Sequence, residues 1–242
     1  MNIIVPLTKL QYLNSNEFNY PVSLIEIKGY PLIKYAIDNL NSISGENNFV
    51  FILSKDDCVK FRLDNLIKVL VPSAKVVILD SKTKGAPCSI LMAIKEISKN
   101  NKTLIVNSDQ YFNLDFNKCI NDLIDSKADA GIVSFDAIHP RWSFVSLDSS
   151  RKIVLQSSEK NPISRNAIAG IYYFKEFNTF FNSTIKAIEM EDYLNDQLYT
   201  SSILNQVILD NKIISNISID SKKYFSFYSI DRINEFKKII KR

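Results

Sequence analysis

Glycine is scarce in this chain: five residues in 242, against roughly 7% in average proteins. Only glycine enters the positive-φ region without steric penalty, so each one that is present marks a demanding turn or a close approach. Histidine is scarcer still. His139 is alone, in a loop before a proline, and no second imidazole exists to pair with it, so it is not assigned a catalytic role. Cysteine is limited to Cys58, Cys88 and Cys119. Three well-separated thiols, an odd number, exclude a disulfide framework and match no zinc-ligand spacing. Their apolar surroundings indicate buried free thiols in a reducing compartment. There is no run of about 18 apolar residues and no charged leader before an apolar stretch, so a soluble, cytoplasmic protein with no membrane partner is expected. The net charge of +4 carries no basic block beyond the last few residues, so a nucleic-acid partner is not expected either.

What is present is apolar periodicity. Apolar residues make up 46% of the chain, enough for a substantial core. Short apolar runs predict strands over 2–7, 49–53, 75–79 and 103–107, and between them the spacing predicts helices over 31–41, 56–71 and 88–98. In the helix over 56–71, Val59, Leu63, Leu66, Ile67 and Leu70 form the core face. Alternating strand and helix predicts a mostly parallel sheet covered on both sides. After Asp109 the pattern changes. A helix over 116–124 precedes strands over 130–135, 143–147, 153–156 and 167–174, whose short connections favour antiparallel pairing. Helices over 177–189 and 196–209, a strand pair over 213–219 and 224–227, and a last helix from 231 complete the chain. The expected fold class is α/β: a Rossmann-like single domain with a mixed, mostly parallel central sheet.

Four stretches could carry chemistry. In an open parallel sheet, ligands sit beyond the carboxyl ends of the strands. The turn after the first strand (Leu7, Thr8, Lys9) is therefore the place for nucleotide phosphates, yet it has no glycine, and Lys9 is the only base before Ser23. In "LIVNSDQYF", Asp109 lies just past a strand, where a carboxylate can hold a divalent metal against phosphate oxygens; Ser-Asp there also fits a simple turn or cap. In "KTKGAPCSI", Gly85 and Ala86 open a helix, where backbone N–H groups can meet an anion or a base edge; a plain turn glycine fits as well. In "SSEKNPISRNAIAGIYYF", Glu159 and Lys160 follow a strand, and Gly170 interrupts another, where glycine implies a close approach. An exposed hairpin with an incidental ion pair fits the Glu-Lys dipeptide equally. Trp142 reads as core or cavity wall.

In this order the segments resemble the sugar-phosphate nucleotidyltransferases, and within them a branch associated with capsule and surface polysaccharide. "PVSLIEIKGYPLIKYAIDNL", "TKGAPCSILMA", "LIVNSDQYF", "IHPRWSFVSLD" and "SSEKNPISRNAIAGIYYF" are each similar to a family motif. The resemblance covers most of the chain. It implies one domain with a nucleotide-binding half over 1–110 and an acceptor-binding half over 111–242. The implied reaction joins an NTP to a phosphorylated sugar or polyol and releases pyrophosphate, with Mg²⁺ held by Asp109. Catalytic roles are implied for Asp109 and Lys160. Nucleotide contacts are implied for Leu7, Thr8, Lys9, Gly85, Ala86 and Ser108, and acceptor contacts for Glu159, Lys160 and Gly170. An NTP or nucleotide-sugar and a phosphorylated sugar or polyol are the implied partners, and a homo-oligomer is compatible.

The departures are as specific. The family's Gly-x-Gly-x-Arg loop corresponds to residues 8–13, which hold neither its glycines nor its arginine. Val22 stands for a lysine, Gln197 for an acid, and Ser226 where related enzymes place a second metal-binding aspartate. Losing one preorganised charge at such a site lowers the rate about 10² to 10³-fold, so a weakened triphosphate half is expected. The alternative is a catalytically impaired relative that binds a sugar phosphate or nucleotide-sugar, or supports an active partner. A glycosyltransferase ranks below both, because "SDQ" offers one acid where such enzymes use a pair.

Overall fold

Alternation along the first strand sets the layers. In the computed structural model, which describes residues 1–13 and 21–240, β1 (Asn2–Leu7) sends Ile3, Val5 and Leu7 into one core and Ile4 into the core on the opposite face. A short ribbon follows, β2 (Glu26–Ile27) and β3 (Tyr30–Pro31), and leads into α1 (Leu32–Asn41). Then come β4 (Asn48–Ser54), α2 (Lys55–Phe61), α3 (Leu63–Leu70), β5 (Lys75–Leu79), α4 (Ala86–Met92) and β6 (Thr103–Val106). The second half contains β7 (Gln110–Phe112), α5 (Phe116–Asp125), β8 (Ala130–Asp136), β9 (Ser143–Leu147), β10 (Val154–Glu159) and β11 (Asn166–Phe174). It ends with α6 (Phe177–Glu189), α7 (Thr200–Leu209), β12 (Ile214–Ile219), β13 (Tyr224–Ser226) and α8 (Ile230–Ile239).

Strands β5, β4, β1 and β6 are parallel neighbours in that order, so the chain reverses its winding between β1 and β6. That is the position at which a crevice opens past the carboxyl ends of the strands. β11 then joins antiparallel to β6 through residues 171–174 and pairs with β9 at Ala167, while its other edge pairs with β8; β12 lies parallel to β8. The expected mixed α/β architecture is present. Helices α1, α2, α3 and α5 cover one face of the sheet, and α4, α6 and α7 cover the other.

Several local expectations differ. The helix over 56–71 is two helices, α2 and α3, broken at Arg62, which sits in the left-handed region at φ 53°. The break turns Val59 away from the core, to 74% exposure, and Cys58 takes the buried place. The helix over 88–98 is α4 followed by a 3₁₀ turn at Ile94–Glu96, and the helix over 196–209 begins at Thr200. The strands over 213–219 and 224–227 do not pair with each other. Asp220 caps a 3₁₀ turn at Ser221–Lys223, which directs β13 across to β7 instead of back along β12. Cys58 and Cys119 are buried as expected, but Cys88 is only half-buried.

Candidate active site

Asp109 owes its place to Gly170. Within β11, Gly170 has φ +60° and the register against β8 shifts between Ile168 and Tyr172, a bulge at which a Cβ would force its neighbours to move. An added Cβ would lie 2.6 Å from Asn107 Nδ2 and 2.7 Å from Gln110 Oε1. The close approach at Gly170 is therefore made first by the loop that carries Asp109. Its carbonyl accepts from the Asn107 backbone N–H at 3.0 Å and from Gln110 Nε2 at 3.1 Å. Gln110 Oε1 in turn accepts from the Tyr224 hydroxyl at 2.9 Å, and the Asp109 carbonyl accepts from the Phe227 N–H at 2.9 Å. Asp109 is thus gripped on both sides by β11 and by the β7–β13 ribbon.

A cavity of about 740 Å³ lies against the bulge, between the ends of β1 and β6 and the start of β9. Asp109, Glu159, Gly170, Thr8, Lys9, Gly85 and Ala86 all line it, so two distant halves of the sequence meet there. Leu7 is buried at the end of β1. It borders, with Ser108, a smaller adjoining space of about 180 Å³ that also touches Lys9, Ser23 and Asp109. Val22 and Ser23 line it too, and the buried Ser23 hydroxyl has no hydrogen-bond partner among the described residues.

Lys160 and Gly85 both meet the 196–199 segment. Lys160 does not line the cavity. It is exposed at the rim with φ 56°, and its ammonium donates to the Tyr199 hydroxyl at 2.9 Å; that bond raises its pKa. Tyr199, which does line the cavity, is what Lys160 presents to it. At Gly85 (φ +113°), an added Cβ would lie 2.1 Å from the Leu198 carbonyl oxygen. The close approach there comes from the 196–199 segment, docked by Leu198 N–H on the Lys84 carbonyl at 2.7 Å and by Lys84 with Asp196 at 2.9 Å. The residues that departed from the family pattern, Gln197 and Ser226, both line the cavity.

The charges are arranged asymmetrically. Lys9, Lys82 and Arg141 line the cavity and, among the described residues, none has an ion-pair partner. Lys82 and Arg141 escaped sequence reasoning, because only the tertiary fold brings them beside Lys9. The available signals were the "SKTKGAP" and "HPRW" segments that contain them. Arg141 stacks 3.8 Å over the Tyr228 ring, and its Nε donates to His139 Nδ1 at 3.2 Å. The lone histidine thus orients a cavity arginine. Glu159 is held by the hydroxyls of Ser143 and Ser201, the latter at 2.7 Å, which leaves its other oxygen directed by a fixed carboxylate plane.

Burial pushes the Asp109 carboxyl above the usual aspartate range, against a backbone hydrogen bond that favours the ionised form. Tyr224 is raised well above an ordinary tyrosine, by burial first and then by the charge of Asp109. No cation of the described residues meets Asp109. A desolvated, unpaired carboxylate fits a divalent cation. No group of three or more His, Cys, Asp or Glu side chains suited to a metal exists among the described residues. Mg²⁺ is commonly held by one or two carboxylates together with substrate phosphates, so the site fits Mg²⁺ only as a cation whose remaining ligands come from substrate and water.

The sequence profile of the nucleotidyl transferase family matches residues 18–215. A curated relative from Sulfolobus acidocaldarius, provisionally named a mannose-1-phosphate guanyltransferase, is 23% identical over 157 residues, covering 64% of this chain and 43% of its own length. The chain therefore spans less than half of that relative. A nucleoside-diphosphate-sugar pyrophosphorylase from Vibrio cholerae RC9 superimposes with TM-score 0.83 at 17% identity, over 98% of this chain and 100% of its own. An inositol-1-phosphate CTP transferase from T. maritima superimposes with TM-score 0.71 at 13% identity, over 98% and 94%. At these identities the two structures establish a shared fold. No helix among the described residues is long and apolar enough to cross a membrane.

Proposed function

The chain belongs to the nucleotidyl transferase family, and from that premise we propose that it transfers a nucleotidyl group from an NTP to a phosphorylated sugar or polyol. An oxygen of the acceptor phosphate attacks the α-phosphorus, the bond from the α-phosphorus to its bridging oxygen breaks, and pyrophosphate leaves with the electron pair. The observation that carries this reading is the meeting of Asp109 and Glu159 in one cavity with three cations that have no ion-pair partner among the described residues.

The roles follow from position. Asp109 would hold Mg²⁺, which would neutralise phosphate charge as it develops. Thr8, Lys9 and Lys82 lie at the end of β1 and the approach to Gly85, where the NTP phosphates would rest, and Lys9 and Lys82 are the cations available in place of the arginine and lysine missing from the loop. Ala86 and the N–H groups near it face the base. Glu159, fixed by Ser143 and Ser201, accepts hydrogen bonds from acceptor hydroxyls, and Arg141 offers its remaining N–H groups to the acceptor phosphate. Tyr199, tied to Lys160, closes the rim. Surface-polysaccharide precursors are the proposed destination of the product, as the sequence resemblance suggests.

A second reading is favoured by specific residues: Val22 in place of a lysine, Ser226 in place of a carboxylate and a loop without glycine. It is a relative that binds nucleotide-sugars or sugar phosphates without turnover. One experiment separates the two. Purified protein with Mg²⁺ is given each NTP in combination with a panel of sugar 1-phosphates and polyol phosphates. Pyrophosphate release that disappears in Asp109→Ala supports transfer. Ligand-induced thermal stabilisation without release supports the binding-only relative, and neither effect removes both.

A further inference from the structure

We propose that Ser89, which does not touch the cavity, is a positioning residue for its triphosphate end: it turns the Thr8 hydroxyl proton toward the NTP phosphates. The inference deepens the reading above and rests on it, since that reading lays the phosphates at the end of β1. It also says how a first loop without glycine can meet a triphosphate. A glycine-rich loop offers backbone N–H donors to phosphate oxygens. Here a side-chain donor, aimed from behind, takes that part.

Ser89 lies in α4 and is fully buried. Its hydroxyl is 2.6 Å from that of Thr83 and 3.2 Å from that of Thr8, and it reaches the Gly85 carbonyl at 3.2 Å. Thr83 bonds the same carbonyl at 3.1 Å, so its own place does not depend on Ser89 alone. Thr8, Thr83 and Gly85 line the cavity. One buried hydroxyl thus ties the turn after β1 to the loop before α4, across 81 positions of sequence.

Each hydroxyl has one proton to give and lone pairs to receive. The shortest contact is the one between Thr83 and Ser89. The Gly85 carbonyl already accepts from the Ser89 backbone N–H at 3.1 Å, which frees the Ser89 hydroxyl proton for Thr8. With Thr83 donating to Ser89, and Ser89 to Thr8, the Thr8 proton is left for the cavity. The donors then point one way, and each strengthens the next. The opposite order gives the Thr8 proton to Ser89 and shows the cavity only lone pairs, which suit a metal ion and repel phosphate. Lys9 selects between them. It follows Thr8 directly, lines the same cavity and has no ion-pair partner among the described residues, so this end of the cavity suits an anion.

The test is binding, read without turnover by isothermal titration calorimetry of the purified protein with ATP, CTP, GTP and UTP in Mg²⁺. For the nucleotide that binds tightest, Thr8→Val is expected to bind about 10-fold more weakly, and Thr8→Ser within about 2-fold of wild type. Ser89→Ala is expected to weaken binding at least ~3-fold. Ser89→Cys, which keeps the space filled with a poor donor, is expected to do the same. In the Thr8→Val background neither Ser89 substitution is expected to move the Kd more than about 2-fold, because Ser89 acts through Thr8. A Ser89 that only supports the fold weakens both backgrounds alike. With EDTA in place of Mg²⁺, the ratio of Thr8→Val to wild type is expected to persist. The inference is overturned, and the transfer reading stands, if a nucleotide binds but Thr8→Val or the Ser89 variants bind it as wild type does. It is overturned in the same way if the Ser89 effects survive in Thr8→Val, or if the ratio collapses without Mg²⁺. Absence of binding by every nucleotide overturns the transfer reading together with it.

Discussion

Replacing Gly170 by alanine tests the physical basis of the site, and Gly45→Ala supplies its control. Both glycines have positive φ, +60° and +89°, so both substitutions incur left-handed strain of about 1–2 kcal/mol. At Gly45 nothing lies within 4 Å of the added Cβ, so that strain is the whole effect. At Gly170 the Cβ arrives 2.6 Å from Asn107 Nδ2 and 2.7 Å from Gln110 Oε1. Gln110 is buried, bonded to the Gly170 carbonyl at 3.1 Å and to the Tyr224 hydroxyl at 2.9 Å, and has no exposed position to move to. Displacing it leaves buried polar groups without partners, at about 1–3 kcal/mol. For a chain of this size the difference between the two variants corresponds to roughly 2–12 °C in Tm. Thermal melts of the two purified variants measure it. If Gly170→Ala melts within about 1 °C of Gly45→Ala, the Asn107–Gln110 grip on Asp109 is not what requires glycine, and the account of how Asp109 is positioned fails.

Other outcomes follow from the same geometry. The Asp109 pKa is raised in the folded state, so its ionised form is a burden that is fully present above the folded pKa and is relieved as pH falls. Without Mg²⁺, Asp109→Asn is expected to melt above wild type at pH 7, with the advantage vanishing toward the acid side of the ordinary aspartate range; a lower Tm at pH 7 contradicts this. Glu159→Gln keeps the size but weakens hydrogen bonding to acceptor hydroxyls, and is expected to raise the acceptor KM about 10-fold with little change in the NTP KM, read from initial rates varied in each substrate. Burial holds Cys119 at about 11, which leaves ~0.1% thiolate at pH 8. Burial raises Cys58 and Cys88 as well, so a thiol-specific chromogenic reagent is expected to react slowly with the native protein and with all three thiols in denaturant. Rapid native labelling of more than the half-buried Cys88 argues against the core assignment.

The sheet was legible because its strands are apolar runs with opposite-facing cores, as in Ile3, Ile4 and Val5. Asp109 was legible because the carboxyl end of β6 is a fixed place in such a sheet. The β7–β13 ribbon was not. The run over 224–227 reads as a strand, but its partner Gln110–Phe112 is three residues long, too short for periodicity to mark, and lies more than 100 positions away. Arg62 gave no sign of the αL break, since arginine has no preference for that region. Lys160 and Gly85 were placed by their neighbours in sequence, whereas their contacts, Tyr199 and Leu198, come from a segment that only the fold delivers. The same holds for Lys82 and Arg141, and it changes the chemical picture. The first loop offers a single lysine, but the cavity as folded holds three cations, none with an ion-pair partner among the described residues.

The most direct measurement is pyrophosphate release by wild type and Asp109→Asn, in Mg²⁺, across the grid of NTPs and phosphorylated sugars and polyols. At least one pair is expected to yield pyrophosphate in step with a nucleotidylated product, and Asp109→Asn is expected to lower that rate at least ~10²-fold while remaining folded. Silence from every pair, or an equal rate from the folded variant, contradicts the assignment of transfer to this cavity.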